Sequence, residues 1–239
     1  TKADNPDGII GSPYVGMRLG EIWGYRAGGL FASDEEAAQY IKEIDCSKIY
    51  TEYMNCTSEY GKGVRAGDLK ILDIDGDGEL AWGNNTIYNH GDAEIIGNSQ
   101  PRFQYGINLG FNYLGIDFSM FLQGVGHIDW YPNPEALPFW GPYSRPYASF
   151  IPADFVDKVW SEENPDSYFP RPRGYIDMKT NRTLGAFNDR YLQNIGYCRL
   201  KNLTIGYSLP KTWMQKANID GIRVYFSGEN LHYWAPGLH

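Results

Sequence analysis

Residues 102–115, RFQYGINLGFNYLG, alternate strictly between two kinds of side chain. Every odd position from 103 to 113 is aromatic or aliphatic, and every even position from 104 to 112 is glycine, asparagine or glutamine. Because successive side chains of a strand point to opposite faces of a sheet, the pattern predicts a β-strand with one apolar face and one polar or small face. The apolar residues are Phe103, Tyr105, Ile107, Leu109, Phe111 and Tyr113.

The apolar face of this strand has aromatic residues at both ends and aliphatic residues in the middle. At about 3.3 Å per residue and a tilt of about 40°, positions 103–113 span roughly 25 Å. An outer-membrane β-barrel has a lipid-facing band of that height, bounded by aromatic girdles. We therefore expect the six apolar residues to face lipid, although a soluble sandwich strand with one buried face has the same alternation.

The composition favours an all-β protein. Aromatic residues make up 15% of the chain, and 28 of its 239 residues are glycine, which suits short strands joined by turns. No run approaches the roughly 18 apolar residues of a transmembrane helix, and a barrel strand needs no such run because its lumen side is polar. The formal net charge of −8 argues against a nucleic-acid partner.

Other segments carry signals for further elements. The alternation slips by one residue near Leu200, which predicts a β-bulge. Ser33 followed by Glu36 predicts a capping box at the start of a helix that runs to Glu43, and a short helix is expected within 153–160. Further strands are predicted at 21–31, 68–74, 116–127, 191–209 and 222–234.

The connections between the predicted strands alternate between long and short. A structureless segment of about sixty residues, such as 128–190, is unusual in a compact soluble domain, whereas outer-membrane barrels place long loops outside and short turns on the periplasmic side. The pattern predicts a fragment of an antiparallel, up-and-down transmembrane β-barrel with long extracellular loops and short helices in those loops. The connections are 32–101, 114–115, 128–190 and 210–221.

Several segments resemble the SusC/RagA family of TonB-dependent outer-membrane transporters, in the family's order and over nearly the whole chain. They are GEIWGYRAGGLF, DLKILDIDGDGEL, IIGNSQPRFQYGINLGFNYLGIDFSMFLQGVG, VWSEENPDSYFPR and YLQNIGYCRLKNLTIGYSLPKTWMQKANIDGIRVYFSGENL. The resemblance implies that residues 1–239 are a C-terminal portion of the receptor barrel, without the plug domain and the final strands.

The same resemblance implies a function and partners. Members of the family import oligosaccharides or oligopeptides across the outer membrane, with a SusD-like lipoprotein above the barrel and energy from TonB through the N-terminal region. Two segments depart from the family pattern, a long loop at 81–94 and an unmatched segment at 129–147. We expect substrate choice to depend on these two segments.

The acidic turn DIDGDGE has the spacing of the first half of a calcium-binding loop. Calcium takes six to eight oxygen ligands, and alternate residues of a tight turn point inward together. Asn84 stands where the full motif needs a bidentate Glu, so Asp92 or Glu94 is expected to supply the missing carboxylate. The alternative is a metal-free Asp/Gly turn. The predicted calcium ligands are Asp73, Asp75, Asp77, Glu79 and Asp92.

The proline-rich loop after the second clear strand is crowded with aromatic residues. Aromatic faces suit stacking on sugars, and prolines limit the entropy lost when a loop becomes ordered. The alternative is that these rings pack against the partner lipoprotein or neighbouring loops. The predicted substrate contacts are Trp130, Tyr131, Trp140 and Tyr143.

Catalysis is not expected, because the chain has no G-x-S-x-G elbow, P-loop, H-E-x-x-H motif or histidine pair with metal-ligand spacing. Cys46 and Cys56 flank a polar loop, and both a disulfide and two unpaired thiols remain possible. The alternative to a transporter is a soluble, calcium-stabilised β-sandwich module that binds carbohydrate.

Overall fold

The computed structural model describes residues 4–58, 62–147, 149, 151, 153–179, 182–214 and 219–235. The chain divides into two compact units, a loop unit (residues 1–98 and 131–192) and a sheet unit (residues 99–130 and 193–239). Among the described residues, no helix is both long enough and apolar enough to cross a membrane.

Strands predominate over helices. The strands are β1 (Glu21–Gly24), β2 (Ala27–Leu30), β3 (Leu69–Ile71), β4 (Glu94–Asn98), β5 (Gln104–Tyr113), β6 (Ile116–Val125), β7 (Asp129–Trp130), β8 (Met178–Lys179), β9 (Arg182–Thr183), β10 (Gln193–Asn194), β11 (Tyr197–Ser208) and β12 (Arg223–Trp234). The α-helices are α1 (Asp34–Glu43), α2 (Thr51–Met54), α3 (Leu137–Trp140), α4 (Phe155–Lys158) and α5 (Lys211–Met214), with 3₁₀ turns at Gly141–Tyr143 and Gly174–Ile176.

The sheet unit is built on one antiparallel sheet with the strand order β12-β11-β6-β5. Strands β5, β6 and β12 confirm three of the four segments predicted between residues 102 and 234. The fourth, 191–209, is not one strand, because β11 begins only at Tyr197 and β10 pairs with β7 in a separate sheet. The hairpin between β5 and β6 turns at Leu114 and Gly115, whose φ angles of 49° and 86° fit a two-residue turn that matches the twist of the strands. Described residues of β5 and β12 pair on one side only, so the sheet is open within this chain.

The predicted bulge is present in β11. The register shifts between Leu200 and Asn202 against both neighbouring strands. Leu200 and Leu203 therefore lie on one face, while Lys201 and Asn202 both lie on the other. A bulge is what allows two consecutive polar residues to share a face in an otherwise alternating strand.

The predicted single strand at 21–31 is wrong, because the chain breaks after Gly24 into β1 and β2. Tyr25 turns inward until 1% of its surface is exposed, and its backbone N–H donates to Phe187 O at 2.7 Å. The two halves then pair with different partners, β1 with β4 and β2 with β3. Strand β4 has no strong alternation, and the sequence did not predict it.

Helix α1 begins where the capping signal predicts. Ser33 is its N-cap and its hydroxyl accepts from Glu36 N at 3.1 Å. In a capping box the Glu36 carboxylate would accept from the backbone N–H of Ser33. Here it accepts instead from the N–H of the preceding residue, Ala32, at 2.8 Å. Both arrangements satisfy backbone N–H groups that the first helical turn leaves without partners.

The connection predicted as a structureless loop, 128–190, is instead largely part of the loop unit's hydrophobic core. Trp140, Tyr143, Phe169 and Tyr191 are all at most 5% exposed and pack ring against ring, with Trp140 and Tyr191 centroids 5.1 Å apart. Large aromatic residues bury much surface with few rotatable bonds. A chain segment with little secondary structure can therefore still form a core.

The three cysteines are free thiols, so the disulfide alternative is not realised. Cys46 lies in the core of the loop unit, and burial raises the pKa of its thiol to about 12. A thiol that stays protonated at neutral pH is a poor nucleophile and metal ligand. Cys46 is therefore a packing residue.

Candidate functional site

The sheet unit presents one continuous apolar face. Register places Leu109 of β5 opposite Met120 of β6, and Met120 opposite Leu203 of β11. Ile107 and Leu109 are 45% and 50% exposed, so no second layer of protein covers them. The face consists of Phe103, the five odd-numbered residues of β5, Ile116, Phe118, Met120 and Leu122 of β6, Leu200, Leu203, Ile205 and Tyr207 of β11, and Val224 and Phe226 of β12.

Glycines on the neighbouring strand make room for the aromatic end of this face. A Cβ atom at Gly124 would lie 2.4 Å from the ring of Tyr105, and one at Gly126 would lie 1.8 Å from the ring of Phe103. Aromatic side chains laid over glycines cover backbone that would otherwise be bare. The two glycines therefore leave room for Phe103 and Tyr105 at one aromatic end of the apolar face.

The opposite face of the sheet carries hydrogen-bonding groups. Arg223 of β12 pairs with Asp117 of β6, with its Nε 3.0 Å from Asp117 Oδ1. The two side chains meet above Gly206 of the intervening strand, where a Cβ would lie 2.5 Å from Asp117 Oδ1. Thr204 and Ser227 join the same polar face with their hydroxyl oxygens 3.1 Å apart.

The acidic turn folds back on the loop unit as the sequence predicted, but only in part. Asp73, Asp75 and Asp92 place one carboxylate oxygen each within 4.8 Å of one another. Asp92 is 1% exposed, and its oxygens accept from Ile74 N at 2.7 Å and Ala81 N at 2.9 Å. Burial, together with the nearby charges of Asp75 and Asp73, raises the pKa of Asp92.

Two predicted ligands lie outside this cluster of three carboxylates. Asp77 Oδ1 accepts from Glu79 N at 2.8 Å, and the Glu79 carboxylate forms an ion pair with Lys48. Neither carboxylate belongs to the cluster that Asp92 forms with Asp73 and Asp75. In this structure the carboxylates available to a cation are those of Asp73, Asp75 and Asp92.

The predicted aromatic substrate contacts are mostly core residues. Tyr131, Trp140 and Tyr143 are 5%, 0% and 0% exposed, whereas Trp130 is 37% exposed. Their polar atoms also point inward: Trp140 Nε1 donates to Pro132 O at 2.8 Å, and Tyr143 OH donates to Pro170 O at 2.6 Å. Because neighbouring groups cover their faces, these three rings do not offer a surface to a sugar, and the packing alternative holds for them.

A cavity of about 450 Å³ in the loop unit was not predicted from the sequence. Its walls are largely apolar, and Trp82 and Asn85 come from the 81–94 loop where substrate choice was expected. Trp23 and Trp82 stand out in the sequence, in EIWGY and AWGNN, but no local pattern shows that they share a wall. The lining includes Met17, Glu21, Ile22, Trp23, Trp82, Asn85 and Phe187.

A buried ionic network joins distant segments of the loop unit. Arg173 and Asp68 both have fully buried side chains, and Arg173 Nε lies 2.9 Å from Asp68 Oδ1. Asp177 accepts from Tyr53 OH at 2.6 Å and from Arg173 N at 2.5 Å. Burial raises the pKa of Asp177 to about 7. The network contains a carboxylic acid with a raised pKa, as functional sites often do. Its groups hydrogen-bond one another in the interior, so we assign it to the architecture of the unit.

Known proteins with similar sequences are much longer than this chain. No protein-family model matches the chain. TonB-dependent receptor P3 of Formosa agariphila is 32% identical over 167 residues, which are 69% of this chain and 14% of that protein. TonB-dependent receptor P26 of the same organism is 28% identical over 172 residues, 71% of this chain and 15% of that protein. The chain thus spans about a seventh of the length of these relatives.

One solved structure supports the fold. The structure of the RagAB peptide transporter matches 99% of this chain and 21% of the solved chain, with a TM-score of 0.51 and 16% sequence identity. At 16% identity the match is evidence for a similar backbone fold and not for a shared function. The match therefore supports the fold class, a mostly antiparallel β-structure with long connections.

Proposed function

Because this chain is part of a SusC/RagA-like TonB-dependent receptor, we propose that its four-stranded sheet is a segment of the receptor's membrane-spanning wall. The apolar face of the sheet contacts lipid, and the polar face lines a water-filled lumen. The observation that carries this proposal is the exposure of the apolar face, with Leu109 half exposed in the middle of it. An exposed apolar surface of this extent is a liability for a soluble protein and a requirement for a barrel.

The open edges of the sheet fit the same proposal. Every backbone N–H and C=O group within a bilayer needs a hydrogen-bond partner, which is why β-structure crosses membranes only as closed barrels. Described residues of β5 and β12 each pair along one edge. In the whole receptor, further strands continue the sheet beyond both of them.

The whole receptor, on this proposal, sits in the outer membrane and imports an oligosaccharide or oligopeptide without catalysing a reaction. A SusD-like lipoprotein covers the long loops, and TonB acts through the receptor's N-terminal region. Family membership supports the mode of transport.

Membrane fractionation of the full-length receptor tests the proposal. The receptor is expected to stay with the outer membrane in high salt and at alkaline pH, and to be released by detergent. Release by high salt alone would overturn the membrane assignment and favour the alternative, a soluble calcium-stabilised β-sandwich that binds carbohydrate.

Solute contact within the loop unit is proposed at the aromatic cavity rather than at the buried aromatic loop. Trp23, Trp82 and Phe187 wall a space of about 450 Å³, which is large enough for a sugar ring or a side chain. Trp82→Ala is expected to lower the receptor's affinity for its solute. Tyr88→Ala, which removes an aromatic ring that is 79% exposed in the same loop, is the control and should leave that affinity unchanged.

A structural calcium ion is proposed at Asp73, Asp75 and Asp92. The clustering of the three carboxylates supports it, because three negative charges within 4.8 Å repel one another and a cation relieves that repulsion. The ion would fix the turn after β3 to the loop that ends at Asp92. It would have no catalytic role.

A further inference from the structure

The polar face of the sheet holds one arginine against two aromatic rings. The guanidinium carbon of Arg199 in β11 lies 5.6 Å from the ring centroid of Tyr197 and 5.5 Å from that of Tyr233. The two tyrosine rings stack on each other, with their centroids 5.4 Å apart and their planes 28° from parallel. Contact with aromatic faces restrains the guanidinium without using its five N–H donors.

Arg199 differs from the other cation fixed on this face. Arg223 is neutralised by a two-point ion pair with Asp117. Among the described residues, no carboxylate forms an ion pair with Arg199 or Lys201. Glu229 of β12, the backbone partner of Asn202, lies on the same face and also forms no ion pair with either cation. The chain as a whole carries a formal net charge of −8. Arg199, half-buried beside the two rings, keeps a planar set of N–H donors that no described carboxylate neutralises.

The bulge in β11 brings a second cation to the same place. Lys201 lies on the polar face because the register shifts between Leu200 and Asn202, and its Nζ contacts the neutral Gln123 Oε1 at 3.2 Å. Gln123 is paired directly with Arg199 across the strands. Arg199, Lys201 and Gln123 therefore form a compact group with two positive charges and no compensating negative charge among the described contacts.

The position of this group along the sheet is also informative. It lies near Val125 and Tyr197, the end of the sheet at which the long connection leaves β6 and returns to β11. The Asp117–Arg223 pair lies at the other end, beside the Leu114–Gly115 turn. In a barrel with long external loops, the unneutralised cations are on the external half of the lumen face.

We propose that Arg199 and Lys201 form an anion-recognition subsite through which the receptor selects carboxylate-bearing solutes. This inference rests on the proposed transport function and adds the charge of the solute to it. Arginine presents parallel N–H groups that match the two oxygens of a carboxylate, and such charge-assisted contacts are both strong and directional. Tyr197 and Tyr233 offer adjoining surface for the uncharged part of the solute.

Matched pairs of solutes test the subsite on the full-length receptor in detergent by calorimetric titration. The glycan pair is oligogalacturonate and its fully methyl-esterified form, which share a backbone and differ in charge. The peptide pair is a hexapeptide with two Glu residues and its Gln counterpart, with blocked ends. In at least one pair the acidic member is expected to bind about tenfold or more tightly, with an advantage that shrinks as salt increases.

Substitutions of Arg199 and Lys201 test whether these two side chains cause the preference for the acidic solute. Arg199→Gln with Lys201→Gln is expected to abolish the preference for the acidic member, and Arg199→Lys to retain part of it. The control combines Asp117→Asn with Arg223→Gln, which removes the paired cation of the same face without changing net charge, and it should keep the preference. Yields of each variant in the outer-membrane fraction confirm that it folds.

The inference is overturned by equal affinity for the acidic and neutral members of both pairs, including no measurable binding of either, or by an unchanged preference in the double Gln variant. Neither outcome affects the transport proposal, which is tested separately by fractionation and by the lipid-facing variants below. The pair of solutes that shows the preference identifies the source of the carboxylate, a glycan or a peptide.

Discussion

Arg173 and Asp68 form a two-point ion pair with both side chains completely buried, although 105 residues separate them in the chain. The guanidinium also lies 4.5 Å from the ring centroid of Tyr53 and donates to Gly63 O at 2.8 Å. Arg173 follows the β5–β6 hairpin in the sequence, and its contacts at Asp68 and Gly63 precede that hairpin. The Arg173 side chain therefore links two separate segments of the loop unit. A buried ion pair stabilises little relative to apolar packing, but losing one partner leaves an uncompensated charge in the interior.

Arg173→Met is therefore expected to destabilise the loop unit by about 3–5 kcal/mol, because Asp68 would keep a buried charge without its partner. Arg145→Gln is the matched control, since Arg145 pairs with Glu135 at the surface and such pairs contribute at most about 1 kcal/mol. Hydrogen exchange of the full receptor, followed by mass spectrometry on peptides that include β3, measures both. Equal exchange in the two variants would contradict the assigned role.

Asp177 gives the loop unit a specific pH dependence. Its pKa, about 7 in the folded chain against an ordinary value of 3.8, means that the folded state holds the proton more tightly than the unfolded state. This contribution to stability is complete below the ordinary value and is lost as pH rises towards 7, with a slope of at most about 1.4 kcal/mol per pH unit. Asp177→Asn is expected to flatten the pH dependence of exchange, corrected for intrinsic rates, between pH 5 and 7.

The outcome that counts against this assignment is an identical pH profile in wild type and Asp177→Asn. Tyr53→Phe separates burial from hydrogen bonding, because it removes the hydroxyl that donates to Asp177 while keeping the ring. Without that donor to the charged form, the pKa of Asp177 should rise further. The loss of stability should then extend to higher pH.

Neighbouring residues of β5 test which face meets lipid. Leu109→Arg places a charge near the middle of the apolar face and is expected to cost about 2–4 kcal/mol, which should lower the yield of receptor in the outer membrane. Asn108→Arg, one residue away on the polar face, should cost little and preserve the yield. Equal yields from both variants would show that the apolar face does not contact hydrocarbon.

Calcium is expected to bind the full receptor and raise the midpoint of its thermal unfolding. Asp75→Asn removes an exposed member of the cluster of three carboxylates and should weaken calcium binding about tenfold or more. Asp77→Asn, in the same turn but outside that cluster, should bind as the wild type does. Calorimetric titration of metal-stripped receptor measures both, and absence of heat and of a thermal shift in wild type would remove the site.

Alanine substitutions at Gly67 and Gly29 distinguish the cost of backbone strain from the cost of close packing. Both have positive φ angles, 83° and 97°, but a Cβ at Gly67 would lie 2.2 Å from the ring of Trp160, while one at Gly29 meets nothing within 4 Å. Gly67→Ala should therefore cost about 1–3 kcal/mol more than Gly29→Ala. Hydrogen exchange in peptides around each position is the measurement, and equal protection in the two variants would contradict the packing contribution of Trp160.

The sequence by itself determined the elements whose signal is local. The alternation at 103–113, the slip near Leu200 and the cap at Ser33 each predicted what the structure contains, because side-chain period and capping depend on residues a few positions apart. The same alternation predicted one wholly apolar face, whereas its exposure is a finding of the structure. Family resemblance was equally accessible, since it is carried by contiguous motifs.

Only the tertiary structure decided which residues from distant segments meet. It placed Tyr131, Trp140 and Tyr143 in a core and broke the strand at Tyr25. It also joined Asp92 to Asp73 and Asp75 but not to Asp77, and it brought Trp23 and Trp82 together in the wall of the cavity. Each of these depends on long-range packing, whose energy comes from burying surface shared by segments far apart in the chain. An aromatic residue in a loop has the same local sequence whether its ring faces water or the core.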